Sequence, residues 1–259
     1  MKLPGLRRSA AMWVAAALTV LAAVAVPVAQ AQAPAAKPFD VLQLNLCNSG
    51  FADCYSAGKA VNSAIALIQQ RQPDVVTLNE ICAQDITRMT RETGYLWEFT
   101  PVGDKSTGGP YTCKDWRGDY GIAILTHPDL GAAGEPVERQ YAAQDGSNEQ
   151  RVLLCVPYSK VSACTTHLSA ADGRIAAEQC RELSGVAAAL GAESVIGGDL
   201  NLVSGGNPDV QGCVPDGWYR KDDGSVQHVL AMDVFRFENA ETIPVDGTDH
   251  PGLLVKTTR

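Results

Sequence analysis

The stretch Val195-Ile196-Gly197-Gly198-Asp199-Leu200-Asn201 passes from an apolar segment into an acid and then, two residues on, an amide. Short apolar runs rich in β-branched residues read as buried strands, so Asp199 and Asn201 stand where a strand ends. The arrangement recurs along the chain. Asn45 follows Val41-Leu42-Gln43-Leu44, and Glu80 follows Val75-Val76-Thr77-Leu78-Asn79. His167 closes Cys164-Thr165-Thr166, and Thr248-Asp249-His250 lies just ahead of Leu253-Leu254-Val255. Taken singly, each is more simply a turn or surface residue; Gly197-Gly198-Asp199 alone is an ordinary turn, and Asp249-His250-Pro251 a loop. Taken together, they place polar groups where several strand ends can converge at one edge of a sheet core. Three carboxylates and two histidines gathered there repel one another or lose hydration unless a cation neutralises them, and oxygen donors suit Mg²⁺ or Ca²⁺. That chemistry points to metal-assisted hydrolysis of a phosphate ester.

The segments between these runs indicate how the strands are carried. Val61, Ala64, Ile65 and Ile68 have the spacing of an amphipathic helix, and Pro73-Asp74 opens the next strand. Ile175, Leu183, Val186, Ala187 and Leu190 mark a second, longer helix ending at Gly191. Each helix leads into an apolar strand that terminates in a carboxylate, Glu80 in one half and Asp199 in the other. Two such halves stack as two sheets with helices outside, an α/β sandwich. Residues 39–259 read as one domain, with Gln32–Pro38 as a short linker before it. Between the halves, Gly103–Asp119 reads as a long surface loop carrying Lys105, Lys114, Trp116 and Arg117.

Lys2, Arg7 and Arg8 precede an apolar Ala/Val-rich stretch, Ala10 to Val28, and then Ala29-Gln30-Ala31. This predicts a secretory signal peptide, residues 1–31, cleaved after Ala31, and a secreted protein. Its removal leaves 18 basic residues against 29 acidic ones, a formal charge of −11. An acidic chain lacks the general attraction that supplies non-specific affinity for nucleic acid, which argues against a tight DNA-binding module. It does not exclude a nuclease, because a bound metal and the charge of the groove decide that matter.

All eight cysteines lie beyond the leader, and an even count in an exported chain suggests disulfides. A hairpin turning at Ser159-Lys160 sets Cys155 opposite Cys164, and Cys47 with Cys54 closes a small loop after Asn45. Cys82 with Cys113, and Cys180 with Cys213, follow by elimination. Thiolate metal binding is the weaker reading, since no Cys-x-x-Cys spacing occurs.

In Leu44-Asn45, Leu78-Asn79-Glu80, Thr166-His167-Leu168, Gly198-Asp199-Leu200-Asn201 and Thr248-Asp249-His250 the chain resembles the endonuclease/exonuclease/phosphatase superfamily, in its secreted bacterial form. The resemblance spans nearly the whole chain from about residue 39. It implies a deoxyribonuclease I-like four-layer α/β sandwich: two stacked, mostly antiparallel sheets flanked by helices. It also implies Mg²⁺, with Ca²⁺ or Mn²⁺ as alternatives, held by Glu80 with the Asn45 amide oxygen and Asp249 as a further ligand. Asp199 is placed to orient or deprotonate the attacking water, and Asn201 to donate to a phosphoryl oxygen. His167 and His250 share acid and base work, with His250 at the water and His167 at the leaving group or scissile phosphate. His127, before a proline, reads as structural or exposed.

Many nucleases of this superfamily carry an Asp in the segment matching Val226–Leu230, where it braces the second catalytic histidine; here Gln227 stands in its place. Either His250 is then a weaker base, or another carboxylate such as Asp233 takes over, and His228 reads as a packing residue. The expected activity is a metal-dependent phosphodiesterase acting on DNA or RNA, as a monomer without a stable protein partner. The alternatives are a sphingomyelinase or phospholipase C-type enzyme and a catalytically weak, toxin-like interaction protein. Exposed loop aromatics would favour lipid, and a basic groove would favour DNA.

Overall fold

In a computed structural model of the chain, the described residues are Met1, 36–159, 161–191 and 193–259. The expected signal peptide and residues 32–35 of the linker lie outside them. The chain runs through β1 (Pro38–Asn45), α1 (Lys59–Arg71), β2 (Val75–Cys82), α2 (Ala83–Thr93), β3 (Leu96–Pro101), β4 (Gly103–Asp104) and β5 (Tyr120–Thr126). It continues through β6 (Val137–Gln140), β7 (Glu149–Gln150), β8 (Val152–Pro157), β9 (Val161–His167), α3 (Gly173–Ala189) and β10 (Glu193–Asp199). The last strands are β11 (Trp218–Asp222), β12 (Gln227–Met232), β13 (Arg236–Ile243) and β14 (Gly252–Thr258). Ahead of Pro38, Lys37 already exchanges backbone hydrogen bonds of 2.9 Å with Arg259.

The two large sheets have matching plans. One has the order β13-β14-β1-β2-β5-β3 and the other β11-β12-β10-β9-β8-β6. Each is antiparallel except for one central parallel pair, β1 with β2 and β9 with β10. A parallel pair needs a crossover, and α1 and α3 supply the two. These are the helices expected from the apolar spacing at Val61–Ile68 and Ile175–Leu190. Alternation sorts the side chains into three apolar layers. Val41, Ile122, Val156 and Val195 pack between the sheets. Leu42, Leu44, Val76 and Leu78 face α1 and α2 with Ile65, Ile68, Ile86 and Met89, while Leu153, Ile196 and Leu230 face α3 with Ala176 and Leu183. The result is the predicted four-layer sandwich.

All four expected disulfides are present. The hairpin register sets Cys155 opposite Cys164 with Cα atoms 4.0 Å apart, and Cys47–Cys54, Cys82–Cys113 and Cys180–Cys213 complete the set with no free cysteine. The Gly103–Asp119 segment is tied down more than its composition suggests. β4 pairs with β7, Cys113 is bridged to Cys82, and Arg117 donates to the carbonyls of Asn48 (2.7 Å) and Ser49 (3.1 Å). Trp116 at its tip is 93 % exposed.

Candidate active site

The strand period decides which side chains meet. Val41, Val75, Ala163, Val195 and Val229 all lie in the core between the sheets, and residues two apart share a face. Gln43 and Asn45, Thr77 and Asn79, Thr165 and His167, Gly197 and Asp199, and Gln227 therefore continue that inter-sheet face. The register sets Asn45 beside Asn79, and Asp199 between His167 and Gln227. The inter-sheet layer thus turns from apolar to polar at the edge where both parallel pairs end. Close approach of the sheets depends on Gly197, where a Cβ would stand 2.0 Å from Thr77 Oγ1.

Glu80 reaches the same place by breaking the period. Counted from Val75 it belongs on the helix side. A bulge shifts the β2–β5 register between Leu78 and Ile81, and Glu80 takes φ 55° in the left-handed region. Bulges re-aim side chains, and such strain in a non-glycine residue clusters at functional sites. Glu80 consequently lines one cavity of about 430 Å³ with His167, Asp199, Asn201 and His250.

Asn45 joins the two halves of the site. Its Nδ2 donates to Glu80 Oε1 and to Asp199 Oδ2, both at 3.0 Å, and its Oδ1 accepts from the Cys47 N–H at 3.1 Å. Asp199 Oδ2 also accepts from Gln227 Nε2 at 2.7 Å, and its Oδ1 from the Asn201 N–H at 3.1 Å. His250 Nε2 is 3.7 Å from Asp199 Oδ2, and His167 Nδ1 is 4.0 Å from Glu80 Oε1. Thr248 Oγ1 donates to the Asn45 carbonyl at 2.9 Å, pinning the loop that carries His250. Asp249 is not on the cavity wall. Its carboxylate is 57 % exposed, 3.7 Å from His250 Nε2, and within 4.8 Å of the Cys47 and Cys54 sulfurs. Those sulfurs are bridged and offer no thiolate.

Burial sets the electrostatics. It pushes the Glu80 carboxyl up to about 6, against the hydrogen bond from Asn45, with Glu149 and Asp199 adding to the rise. Burial likewise raises Asp199, against Asn45 and His250, and raises Glu149, against Arg151. His167 is held well below the usual imidazole range by burial, then by Arg151 and His250, so it is neutral. His167 Nδ1 is buried without a hydrogen-bond partner. Three carboxylates facing one guanidinium leave an excess of negative charge that fits a divalent cation of the oxygen-preferring kind.

The sequence reading missed Tyr120, Glu149 and Arg151, which complete the cavity wall, and Gln43 and Asn79 behind it. Arg151 is 6 % exposed and its Nη1 is 2.9 Å from Glu149 Oε1. A usable signal was the polar residue inside an apolar run, because a buried amide must find partners. The other histidines lie elsewhere. His228 Nε2 is 2.8 Å from the Leu202 carbonyl and its Nδ1 is 3.1 Å from Arg220 Nη1, a core role as expected. His127 accepts from the Asp129 N–H. Asp233 does not brace His250. It follows β12 at the end opposite Gln227, with its N–H on the Gly217 carbonyl. A larger cleft, about 690 Å³, opens beside Tyr95, Trp97 and Tyr158, but no histidine lines it and Glu98 is its one carboxylate.

A carboxylate-rich pocket at the shared edge of two stacked sheets is an architecture of phosphoric ester hydrolases. The chain belongs to the endonuclease/exonuclease/phosphatase family, whose sequence profile matches residues 43–250. Members of the family are phosphoric ester hydrolases and typically use divalent metal ions. A search of curated sequences found no significant match. Among solved structures the fold is similar to a family protein of Bacteroides thetaiotaomicron, at 12 % identity and TM-score 0.67, covering 86 % of this chain and 98 % of that one. It is also similar to D. rerio TDP2 solved with a single-strand DNA product, at 14 % identity and TM-score 0.67, covering 86 % and 99 %. A mannosyl-6-phosphatase of Bacteroides thetaiotaomicron matches at 12 % identity and TM-score 0.63, covering 85 % and 99 %.

Proposed function

We propose that the protein is a secreted, Mg²⁺-dependent phosphodiesterase that hydrolyses nucleic acid, acting as a monomer. The observation that carries this reading is the Asn45 bridge, which holds Glu80 and Asp199 from different sheets on one amide, between His167 and His250. Glu80 and Asn45, whose Oδ1 keeps a second lone pair, would hold the cation, with Asp249, 3.7 Å from His250 Nε2, as the further ligand. The cation would neutralise charge on the phosphoryl oxygens. Asp199, raised by burial and oriented by three donors, takes the proton of the attacking water beside His250. Neutral His167 faces the leaving-group side, and Asn201, whose Nδ2 is positioned by the Leu168 carbonyl at 3.0 Å, steadies the phosphate. The apolar leader and four disulfides support action outside the cytoplasm.

Among the described residues lining the cavity Arg151 is the one guanidinium or ammonium group, and the single-strand DNA product in the TDP2 structure supports single-stranded nucleic acid over duplex. A lipid phosphodiester is the second reading. Trp116 at 93 % exposure and Phe51 at 62 %, the latter on the cavity rim, favour it. The test is side-by-side hydrolysis of single-stranded and duplex DNA, RNA, sphingomyelin vesicles and sugar phosphates, with Mg²⁺ and with chelator. The reading expects turnover of single-stranded nucleic acid that chelator abolishes. Turnover confined to vesicles or sugar phosphates, or indifferent to chelator, would replace it.

A further inference from the structure

Behind the cavity lies a chain of buried amides whose directions can be fixed from backbone groups that have no choice. Asn79 Nδ2 is 2.8 Å from the Thr166 carbonyl, which can only accept, and the Asp199 N–H, which can only donate, is 2.7 Å from Asn79 Oδ1. Gln43 approaches that same oxygen at 2.7 Å, so Gln43 presents its NH₂ there while its own oxygen takes the Thr77 hydroxyl. The Gln43 NH₂ also reaches Gln227 at 3.0 Å, so Gln227 turns its oxygen back to Gln43 and its NH₂ toward the site. Gln43, Thr77, Asn79, Asp199 and Gln227 are all 1 % exposed or less, so the chain is closed off from bulk solvent. An amide NH₂ has two protons. One meets Asp199 Oδ2 at 2.7 Å, and the other faces His250 Nδ1 at 3.4 Å.

A nitrogen that receives an N–H must carry its lone pair there, and in a neutral imidazole the proton then sits on the other nitrogen. We propose that Gln227 is a positioning residue that fixes His250 as the Nε2–H tautomer, so that His250 offers the reaction a hydrogen-bond donor and not a base. This rests on the phosphodiesterase reading above and assigns the division of labour within it. The water oxygen bonds to phosphorus and its proton passes to Asp199. The ester oxygen leaves with the electron pair of the broken P–O bond and is protonated by solvent. His250, a quarter exposed with Nε2 near Asp199 Oδ2, donates to the oxygen that gains charge, the kind of positioned donor that stabilises a transition state. A carboxylate at position 227 would impose the reverse, accepting Nδ1–H and leaving the Nε2 lone pair as a base.

The test reads the tautomer directly. Full-length protein labelled with ¹⁵N-histidine is followed by long-range ¹H–¹⁵N correlation NMR, with and without Mg²⁺, at a pH where the ring is neutral; His250 is assigned by the signal lost in His250→Phe. The wild type is expected to carry its proton on Nε2, and Gln227→Asp to move it to Nδ1. Should Gln227→Asp not fold, Gln43→Met serves, since it removes the donor that orients Gln227 and is expected to give a mixture of tautomers. A wild-type ring protonated on Nδ1, alone or with Nε2, overturns the proposal, as does a tautomer that neither variant changes. No turnover is needed for this readout. Failure to hydrolyse any substrate would therefore sink the functional reading and leave the tautomer result standing.

Discussion

Replacing Glu80 by Gln removes a charge that the metal-free fold tolerates poorly while keeping an oxygen for the Asn45 Nδ2 bond. Burial lifts the Glu80 carboxyl from 4.5 to about 6. Because the folded pKa lies above the unfolded one, the folded state holds the proton more tightly, and stability falls as pH rises from about 4.5 through about 6. The total penalty at neutral pH is about 2 kcal/mol, at ~1.4 kcal/mol per pH unit. Glu80→Gln should therefore stabilise the chelated protein by about 2 kcal/mol at pH 7.5 and by close to nothing at pH 4. For a domain of this size that is a rise in Tm of roughly 4–8 °C. Saturating Mg²⁺ should erase the advantage, since a ligand at a hundred times its Kd stabilises the wild type by about 2.7 kcal/mol, while the variant, lacking the carboxylate, gains little. The assay is a pair of pH series of thermal melts, with chelator and with Mg²⁺, alongside turnover, which Glu80→Gln should abolish. A variant less stable than wild type at pH 7.5 in chelator, or a difference that does not depend on pH, would refute this account of Glu80.

His167→Ala and His250→Ala should each lower turnover at least about a hundredfold, the scale for losing a positioned hydrogen-bond donor at the reacting phosphate, whereas His127→Ala should leave kcat near wild type in the same steady-state assay. Since burial depresses His167, the folded state resists its protonation, so stability present above the ordinary imidazole pKa of 6.5 is lost as pH falls below it; His167→Gln should flatten that acid limb in denaturant titrations. Gly197→Ala should cost about 1–3 kcal/mol as an overpacked core position and lose activity, because its Cβ would push on Thr77 between the sheets; urea midpoints and turnover check both. Non-reducing peptide mapping should recover the four cystine pairs, and the Cys82→Ser/Cys113→Ser variant should lose about 3 kcal/mol of stability in urea titration.

How far the sequence could be read follows from which features are local. The strands ending at Asn45, His167 and Asp199, the helices at Val61–Ile68 and Ile175–Leu190, and the Cys155–Cys164 hairpin all announce themselves through periods and turns within about twenty residues. α2 did not, because Ala83–Thr93 buries little beyond Ile86 and Met89 and is otherwise polar. Glu80 ends an apolar run, yet strict alternation aims it at the helices. Its place in the cavity depends on the bulge and on its left-handed backbone. Glu149 and Arg151 were illegible because what brings them to the wall is the pairing of β7 with β4, some 45 residues away in the chain. Gln227 shows the limit most sharply. From the sequence it reads as a missing carboxylate, a loss. Its hydrogen-bond direction is set by Gln43, 184 positions earlier, itself hidden inside an apolar run, and Gln43 is set in turn by Asn79 and two backbone groups. A single amide in that position could point either way, and only the chain of fixed partners turns it from a weakened brace for His250 into one that selects which nitrogen of the ring bears the proton.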